Sequence, residues 1–312
     1  MKRTLLMLAV CALSLTLAAF GGETAAKVKI GVLAPAVTHG WVAGVAFYAE
    51  KRCQELNDQI EYKIFTSETA EQMTNQLEEA QNWGVKAVVA FPQWTGMEAP
   101  IKRALKAGIQ VVNFDIAINA DGVYRVSGDN AGMGKAGAKY IVDKLGKDIT
   151  IVTLPVPTAG SVSELRMQGF NETIKELAPN AKIIERATKF TQEDGLKDFA
   201  DILTKTPKID AVYSLDDETS LGVLQAIKEA GRQDVKVVTG GGGAQKYFSV
   251  MPKYQDIWVQ SALYSPSMVM DAVDIAVKLA KGETVAEKVK VIPSKVVDRD
   301  NCKDFIDPKS PY

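Results

Sequence analysis

From residue 27 onward the chain alternates between two apolar patterns. Short blocks rich in β-branched residues, at 28–33, 60–65, 85–91 and 109–114, read as strands. Between them apolar residues recur at helical spacing. In 38–56 Trp41, Val45, Tyr48, Ala49 and Cys53 share one face. The helix expected at 69–83 opens with Ser67 or Thr69 as a cap and closes at Gly84, and the one at 100–107 closes at Gly108. The block at 85–91 is almost continuously apolar, which suits a parallel strand covered on both faces.

The alternation then repeats. Strands are expected at 149–154, 181–187, 209–215 and 235–239, and helices at 131–145, 161–177, 192–205 and 218–230. Two successive βα runs of similar length predict an α/β fold of two doubly wound parallel-sheet lobes, with a seam near 121–130. After residue 239 the order changes to strand (257–263), helix (266–281) and strand (289–297). These are expected to return to the first domain and then cross back, which makes a three-strand hinge. The expected division is 27–127 with 262–292, and 128–261 with 293–312.

The first 26 residues carry a different pattern. Lys2 and Arg3 precede an uncharged Leu- and Ala-rich stretch at 4–20, and small residues follow, ending in Thr24, Ala25 and Ala26. This is the order of a cleaved secretory signal peptide. The rival readings are a short membrane anchor and a lipid-carrying Cys11. No later stretch reaches the ~18 apolar residues of a membrane helix.

Composition narrows the function. Of 312 residues, 46% are hydrophobic and 24% charged, the balance of a globular protein, and the formal charge is −1. No basic cluster offers a nucleic-acid surface. One histidine and three cysteines argue against a zinc enzyme and leave any Ser–His–Asp machinery dependent on His39 alone. Neither a metal site nor catalytic residues are expected. Once the leader is removed, Cys53 and Cys302 remain and are expected to be free, buried thiols.

In doubly wound sheets, ligands sit beyond the carboxyl ends of the strands. In the first run those positions hold His39 and Trp41, then Gln93, Trp94 and Thr95, then Asp115. In the second run they hold 158–166 with Arg166, then Phe190, then Asp216, Asp217 and Glu218, then 240–245 with Gly241. Flat apolar faces combined with carboxylates and an arginine suit a polyhydroxylated ligand.

These residues also carry a resemblance. The chain is similar, from about 28 to 297, to the type I periplasmic binding proteins of ABC transporters, in their ribose- and galactose-binding group. The marks are the Val-Lys-Ile-Gly-Val run at 28–32 with Trp41 after it, 108–115 ending in Asp115, the Ser-Gly-Asp-Asn run at 127–130, 166–170 from Arg166 to Phe170, and Asp216-Asp217-Glu218 with Leu221 and Gly222. The resemblance implies a two-lobed monomer without catalytic chemistry or cofactor. It would close on one small carbohydrate or polyol in the periplasm and deliver it to a membrane ABC permease. It also implies ligand contacts from His39, Trp41, Asp115, Arg166, Phe190 and Asp216.

Three departures separate the chain from a ribose binder. Ile116 replaces a second arginine. A glycine run at 240–243 replaces a carboxylate. Leu263 and Tyr264 stand near an expected hinge glutamine. A different pentose or hexose, a sugar alcohol or a furanose-like molecule therefore remains open.

Rival readings stand beside this one. The Gly-x-Gly-x-x-Gly run at 132–137 literally matches a dinucleotide fingerprint. It falls at the domain seam, however, where small residues let a helix pack closely. The glycine run at 240–243 is either a phosphate cradle or, as we favour, a flexible loop at the cleft mouth. Asp115 and Asp216 are acceptors for hydroxyls or a general acid/base pair. At the level of function, the alternatives are a sugar or signal sensor for a membrane receptor and an exported α/β carbohydrate-active enzyme.

Overall fold

The computed structural model describes residues 26–36 and 40–312. The expected leader, except Ala26, and His39 lie outside the described residues. The chain forms β1 (Val28–Pro35), α1 (Gly40–Glu55), β2 (Ile60–Ser67), α2 (Ala70–Trp83), β3 (Ala87–Ala90), α3 (Glu98–Lys106), β4 (Gln110–Phe114) and β5 (Tyr124–Gly128). There follow α4 (Asn130–Leu145), β6 (Thr150–Leu154), α5 (Ser161–Leu177), β7 (Lys182–Glu185), α6 (Gln192–Lys205), β8 (Ala211–Ser214), α7 (Asp217–Glu229), β9 (Val237–Gly242), α8 (Gln245–Val250) and β10 (Trp258–Leu263). The last elements are α9 (Val269–Ala280), β11 (Val289–Ile292) and β12 (Val296–Asp298).

Two six-stranded sheets result, in the orders β11-β5-β4-β3-β1-β2 and β12-β10-β9-β8-β6-β7. Among the described residues every pairing is parallel except β10 with β12. Each sheet is covered on both faces by helices, which is why its central strands are apolar without alternation. In β3 all four residues are buried. The chain passes between the lobes three times, from β5 to α4, from β10 to α9 and from β11 to β12.

Local chemistry explains where the elements stop. Thr69 caps α2 by accepting from the Gln72 N–H at 3.1 Å. Gly84, at φ 87°, ends the same helix in the left-handed region. Asp129 caps α4 by accepting from Gly132 N at 2.7 Å, and Thr191 caps α6.

The structure differs from the sequence reading at several places. The stretch at the expected seam contains β5, a central strand whose run is only five residues long. The strand expected at 257–263 stays wholly in the second lobe, two residues past the expected boundary at 261. As β10 it pairs with β9 in the second sheet, and α9 with β11 makes the return. The single strand expected at 289–297 is two, β11 in one sheet and β12 in the other, with Pro293 in the break. Pro lacks the N–H that continued pairing would need.

The glycine run is not a flexible loop. Gly240, Gly241 and Gly242 are the end of β9, paired with Ser261, Ala262 and Leu263. The Gly132–Gly137 stretch packs as a close-contact face. A Cβ on Gly134 would collide with the α5 backbone at Arg166 and Phe170, and one on Gly137 with the Tyr213 ring.

Cys53 and Cys302 are buried and free. They belong to different core clusters, one in each lobe.

Candidate functional site

The carboxyl ends of strands from both sheets converge on a cavity of about 650 Å³. The first lobe contributes Trp41 of α1, Phe91, Gln93 and Thr95 beyond β3, and Asp115 with Ile116 beyond β4. The second contributes Arg166 of α5, Phe190 before α6, Asp216 and Glu218 around the start of α7, and the Gly241–Gly242 end of β9. Tyr264, beyond β10, and Tyr312 complete the wall.

Arg166 anchors this arrangement. It is 6% exposed, and two of its N–H groups are used within the fold. Nε donates to Asn130 Oδ1 at 2.9 Å and Nη1 to the Leu215 carbonyl at 2.8 Å. A guanidinium has five N–H donors, so these two bonds leave three uncommitted on a side chain that lines the cavity. The cation lies over two rings, 5.0 Å from the Tyr264 centroid and 5.9 Å from that of Phe190. The helix α5 delivers it to this place because α4 can approach so closely at Gly134.

The two carboxylates are held differently. Asp115 has φ 62°, a left-handed conformation that Asp tolerates better than most residues. Its carbonyl accepts from Arg125 Nη2 at 2.9 Å, and its carboxylate accepts from the Tyr264 hydroxyl. Burial pushes its pKa up, against the pull of Tyr264, Arg166 and Arg125.

Asp216 caps α7. Its side chain accepts from the N–H groups of Glu218 at 3.0 Å and Thr219 at 3.3 Å. Burial raises its pKa to about 6 in spite of those bonds. A carboxylate has about four acceptor positions, so capping does not exhaust it.

Trp41 stands in an aromatic cluster. Its ring stacks on Phe114 at 6.1 Å, meets Phe91 edge-on at 5.8 Å and tilts against Tyr264 at 5.7 Å. Its indole N–H donates to the Tyr264 carbonyl at 2.6 Å. An aromatic held on several sides loses little freedom when a ligand packs on it.

The lobes meet at the cavity rim. Gly40, the first residue of α1, lies so close to the Glu218 carboxylate that a Cβ there would collide with it. A carboxylate at a helix N-terminus is favoured by the helix dipole.

Comparison with known proteins places this architecture. The sequence profile of the periplasmic binding protein domain matches residues 30–284. The chain belongs to this family. Among its relatives are the galactofuranose-binding protein YtfQ of Escherichia coli, 29% identical over 324 aligned positions that span 99% of this chain and 98% of that protein, and the D-allose-binding periplasmic protein of Escherichia coli, 28% identical over 244 positions, 74% of this chain and 76% of that one. The arabinose-transporter binding component of Shewanella sp. ANA-3, solved with arabinofuranose, superposes with a TM-score of 0.78 over 88% of this chain and 93% of its own, at 24% identity. That likeness establishes the shared fold.

Trp41, Asp115, Arg166, Phe190, Asp216, Gly241 and Tyr264 all line the cavity. His39 lies outside the described residues. Trp94 is placed elsewhere. It packs half-buried against the core cluster of Leu33, Phe65 and Ile101, while its neighbours Gln93 and Thr95 line the cavity. The chain bends at Trp94 and turns from Thr95 to Met97 before α3 starts, so Trp94 is carried to the core while its two neighbours stay at the cavity.

Asp217, adjacent to the cavity in sequence, is wholly buried beneath it. Its Oδ2 accepts from Gly243 N at 2.8 Å, Ala244 N at 2.9 Å and Ser261 Oγ at 2.9 Å. The last N–H of the glycine run and the one after it are therefore occupied by a carboxylate and offer no phosphate cradle.

Sequence reasoning missed Asn130, Phe91 and Tyr312 as site residues. Asn130 links Arg166 to the Tyr264 hydroxyl, the latter at 3.3 Å. Its signal was present, in the Ser-Gly-Asp-Asn run at 127–130. Phe91 is the last residue of the strand expected at 85–91 and stands out only as one more apolar position of that run, and Tyr312 carries no local signal.

Proposed function

We propose that this chain is the periplasmic solute receptor of an ABC importer, and that it captures a small carbohydrate or polyol between its lobes. The observation that carries the reading is the cavity's composition. A buried arginine with uncommitted donors faces two buried carboxylates between the aromatic surfaces of Trp41 and Phe190. Hydroxyls need both donors and acceptors, and a sugar's C–H face needs a flat apolar surface. Relatives named for galactofuranose and allose agree with this class.

In this reading Asp115, Arg166 and Asp216 hydrogen-bond the hydroxyls, and His39, Gly241 and Tyr264 complete the contacts. A wrong ligand is rejected because it leaves buried polar groups unpaired. Residues 1–26 direct export. The lobes close about the three crossings, and the closed monomer presents a surface to the permease. The protein binds and does not catalyse. Relatives named as binding proteins support this part of the reading.

A panel of pentoses, hexoses, furanosides and polyols, screened by thermal shift and followed by calorimetry, tests the proposal. One ligand or a few close isomers should raise the Tm; at 100 times Kd the gain is about 2.7 kcal/mol. No response across the panel overturns the carbohydrate reading, and chemical turnover of a bound sugar overturns the non-enzymatic one.

A further inference from the structure

After β12 the chain recrosses the molecule. A turn of 3-10 helix (Cys302–Phe305) sets the Phe305 ring against Phe248, with centroids 6.2 Å apart. Gln245 of α8 clamps the next residues. Its amide oxygen accepts from Asp307 N at 2.7 Å and its amide nitrogen donates to the Phe305 carbonyl at 3.3 Å. Those contacts lie on the second lobe. Asp307 then takes a hydrogen bond from the Tyr48 hydroxyl of α1, in the first lobe, at 3.4 Å. The Ser310 hydroxyl pins the turn that follows, donating to the Tyr312 carbonyl at 2.9 Å and accepting from Tyr312 N at 3.3 Å.

The turn delivers the Tyr312 ring to the cavity wall, where it is only 8% exposed. The side chain reaches both lobes, its Cβ toward the first and its ring and hydroxyl toward the second. On one side a Cβ on Gly44 of α1 would stand 3.4 Å from the Tyr312 Cβ. On the other the hydroxyl abuts Gly242, where a Cβ would collide with it. Gly242 has φ 126°, so its backbone also disfavours any side chain. The wall at Gly242 is thus bare backbone, and the Tyr312 side chain covers it, as the Met133 methyl covers neighbouring Gly241. A phenol brings one donor, an acceptor and a flat face to that position.

We propose that Tyr312 is a specificity-determining ligand contact of the cavity, carried there by residues 302–312 acting as a strap between the lobes. The inference rests on the carbohydrate or polyol reading of the cavity. Tyr312 limits the volume open to the ligand on the β9 side, and its hydroxyl pairs with a ligand hydroxyl that a poorer isomer lacks or misplaces.

The test is calorimetry of the same carbohydrate and polyol panel against the full chain and its Tyr312→Phe and Tyr312→Ala variants, with the unliganded Tm measured for each. Tyr312→Phe keeps the ring and should bind the best ligand roughly tenfold more weakly, at unchanged unliganded Tm, through loss of one hydrogen bond. Tyr312→Ala should narrow the ratio between the best ligand and its nearest isomers and improve the standing of bulkier sugars. If Tyr312→Ala fails to fold, Tyr312→Phe decides alone. Unchanged affinity and ranking in the variants, or an equal loss for every ligand, overturns this inference and leaves the carbohydrate reading intact. A wild-type chain that binds nothing in the panel overturns both.

Discussion

The hydroxyl of Tyr264, the first residue after β10, donates to the carboxylate of Asp115, the first residue after β4. One residue follows a strand of the second sheet and the other a strand of the first. The bond therefore joins the ends of two separate sheets at the floor of the cavity. Tyr264 also accepts from Asn130, lies under the Arg166 guanidinium and takes the Trp41 indole N–H on its carbonyl. It organises the polar and aromatic parts of the site together.

Tyr264→Phe removes that donor from Asp115 while keeping the ring. Ligand affinity should fall by up to about 1.5–3 kcal/mol, the range for one buried bond to a charged group. The fold should persist, since the ring still packs. Calorimetry with the ligand found in the screen, set beside far-UV dichroism, checks this. Full affinity in the variant would show that Asp115 needs no such partner.

Arg166→Ala should cost more. It removes the contact to ligand and leaves Asn130 Oδ1 and the Leu215 carbonyl without their donor. Affinity should drop by roughly 2 kcal/mol or more. Arg166→Lys should not restore it, because a point ammonium cannot reproduce the guanidinium fork. Restoration by lysine would reduce Arg166 to a source of charge.

Stability should decline as pH rises through the mildly acidic range. Burial pushes Asp217 up to about 7 and Asp216 to about 6, and raises Asp115 as well. In the unfolded chain such groups titrate near 3.9. Between about pH 4 and 7 the folded state holds protons that the unfolded state has released. Raising the pH through that window therefore favours unfolding, and the effect levels off above it. Asp234 behaves oppositely: Arg232 draws it down to about 2, so its contribution is lost only below pH 4. The unliganded Tm at pH 5 should exceed that at pH 8 by roughly 2–4 °C for each kcal/mol involved. Asp217→Asn should flatten the profile. A Tm that rises from pH 5 to 8 would contradict the assignment.

Gly134→Ala tests the close packing of α4 on α5. The added methyl meets backbone atoms of Arg166 and Phe170, which cannot rotate away. The helices must separate, at a cost of about 1–3 kcal/mol. Because Arg166 rides on α5, the ligand should bind more weakly too. Urea denaturation and calorimetry measure the two effects. A fully stable variant with normal binding would show that the glycine is dispensable.

The division of the chain into two strand-and-helix runs was legible in the sequence because apolar spacing reports burial directly. The blocks at 28–33 and 109–114 are strands because each has helices on both sides, and no distant partner has to be known to see it. Positions at strand ends were legible for the same reason, which brought Trp41, Asp115, Arg166, Phe190 and Asp216 into view. The glycine run was misread because its strand character comes from elsewhere. Pairing with Ser261, Ala262 and Leu263 holds it on one side, and Asp217 ties down its last N–H and the one after it.

By itself, then, the sequence determined the repeat of strands and helices, the two lobes and most of the polar residues offered to the cleft. These depend on spacing and on the ends of local elements. Only the tertiary structure decided that Trp94 turns to the core while Gln93 and Thr95 face the cavity, that Asp217 is buried beneath the site, and that Asn130 ties Arg166 to Tyr264. It alone brought Tyr312 across from beyond the last strand to Gly242. Those relationships join residues tens to hundreds of positions apart, and their energies exist only once two sheets have folded and packed against one another.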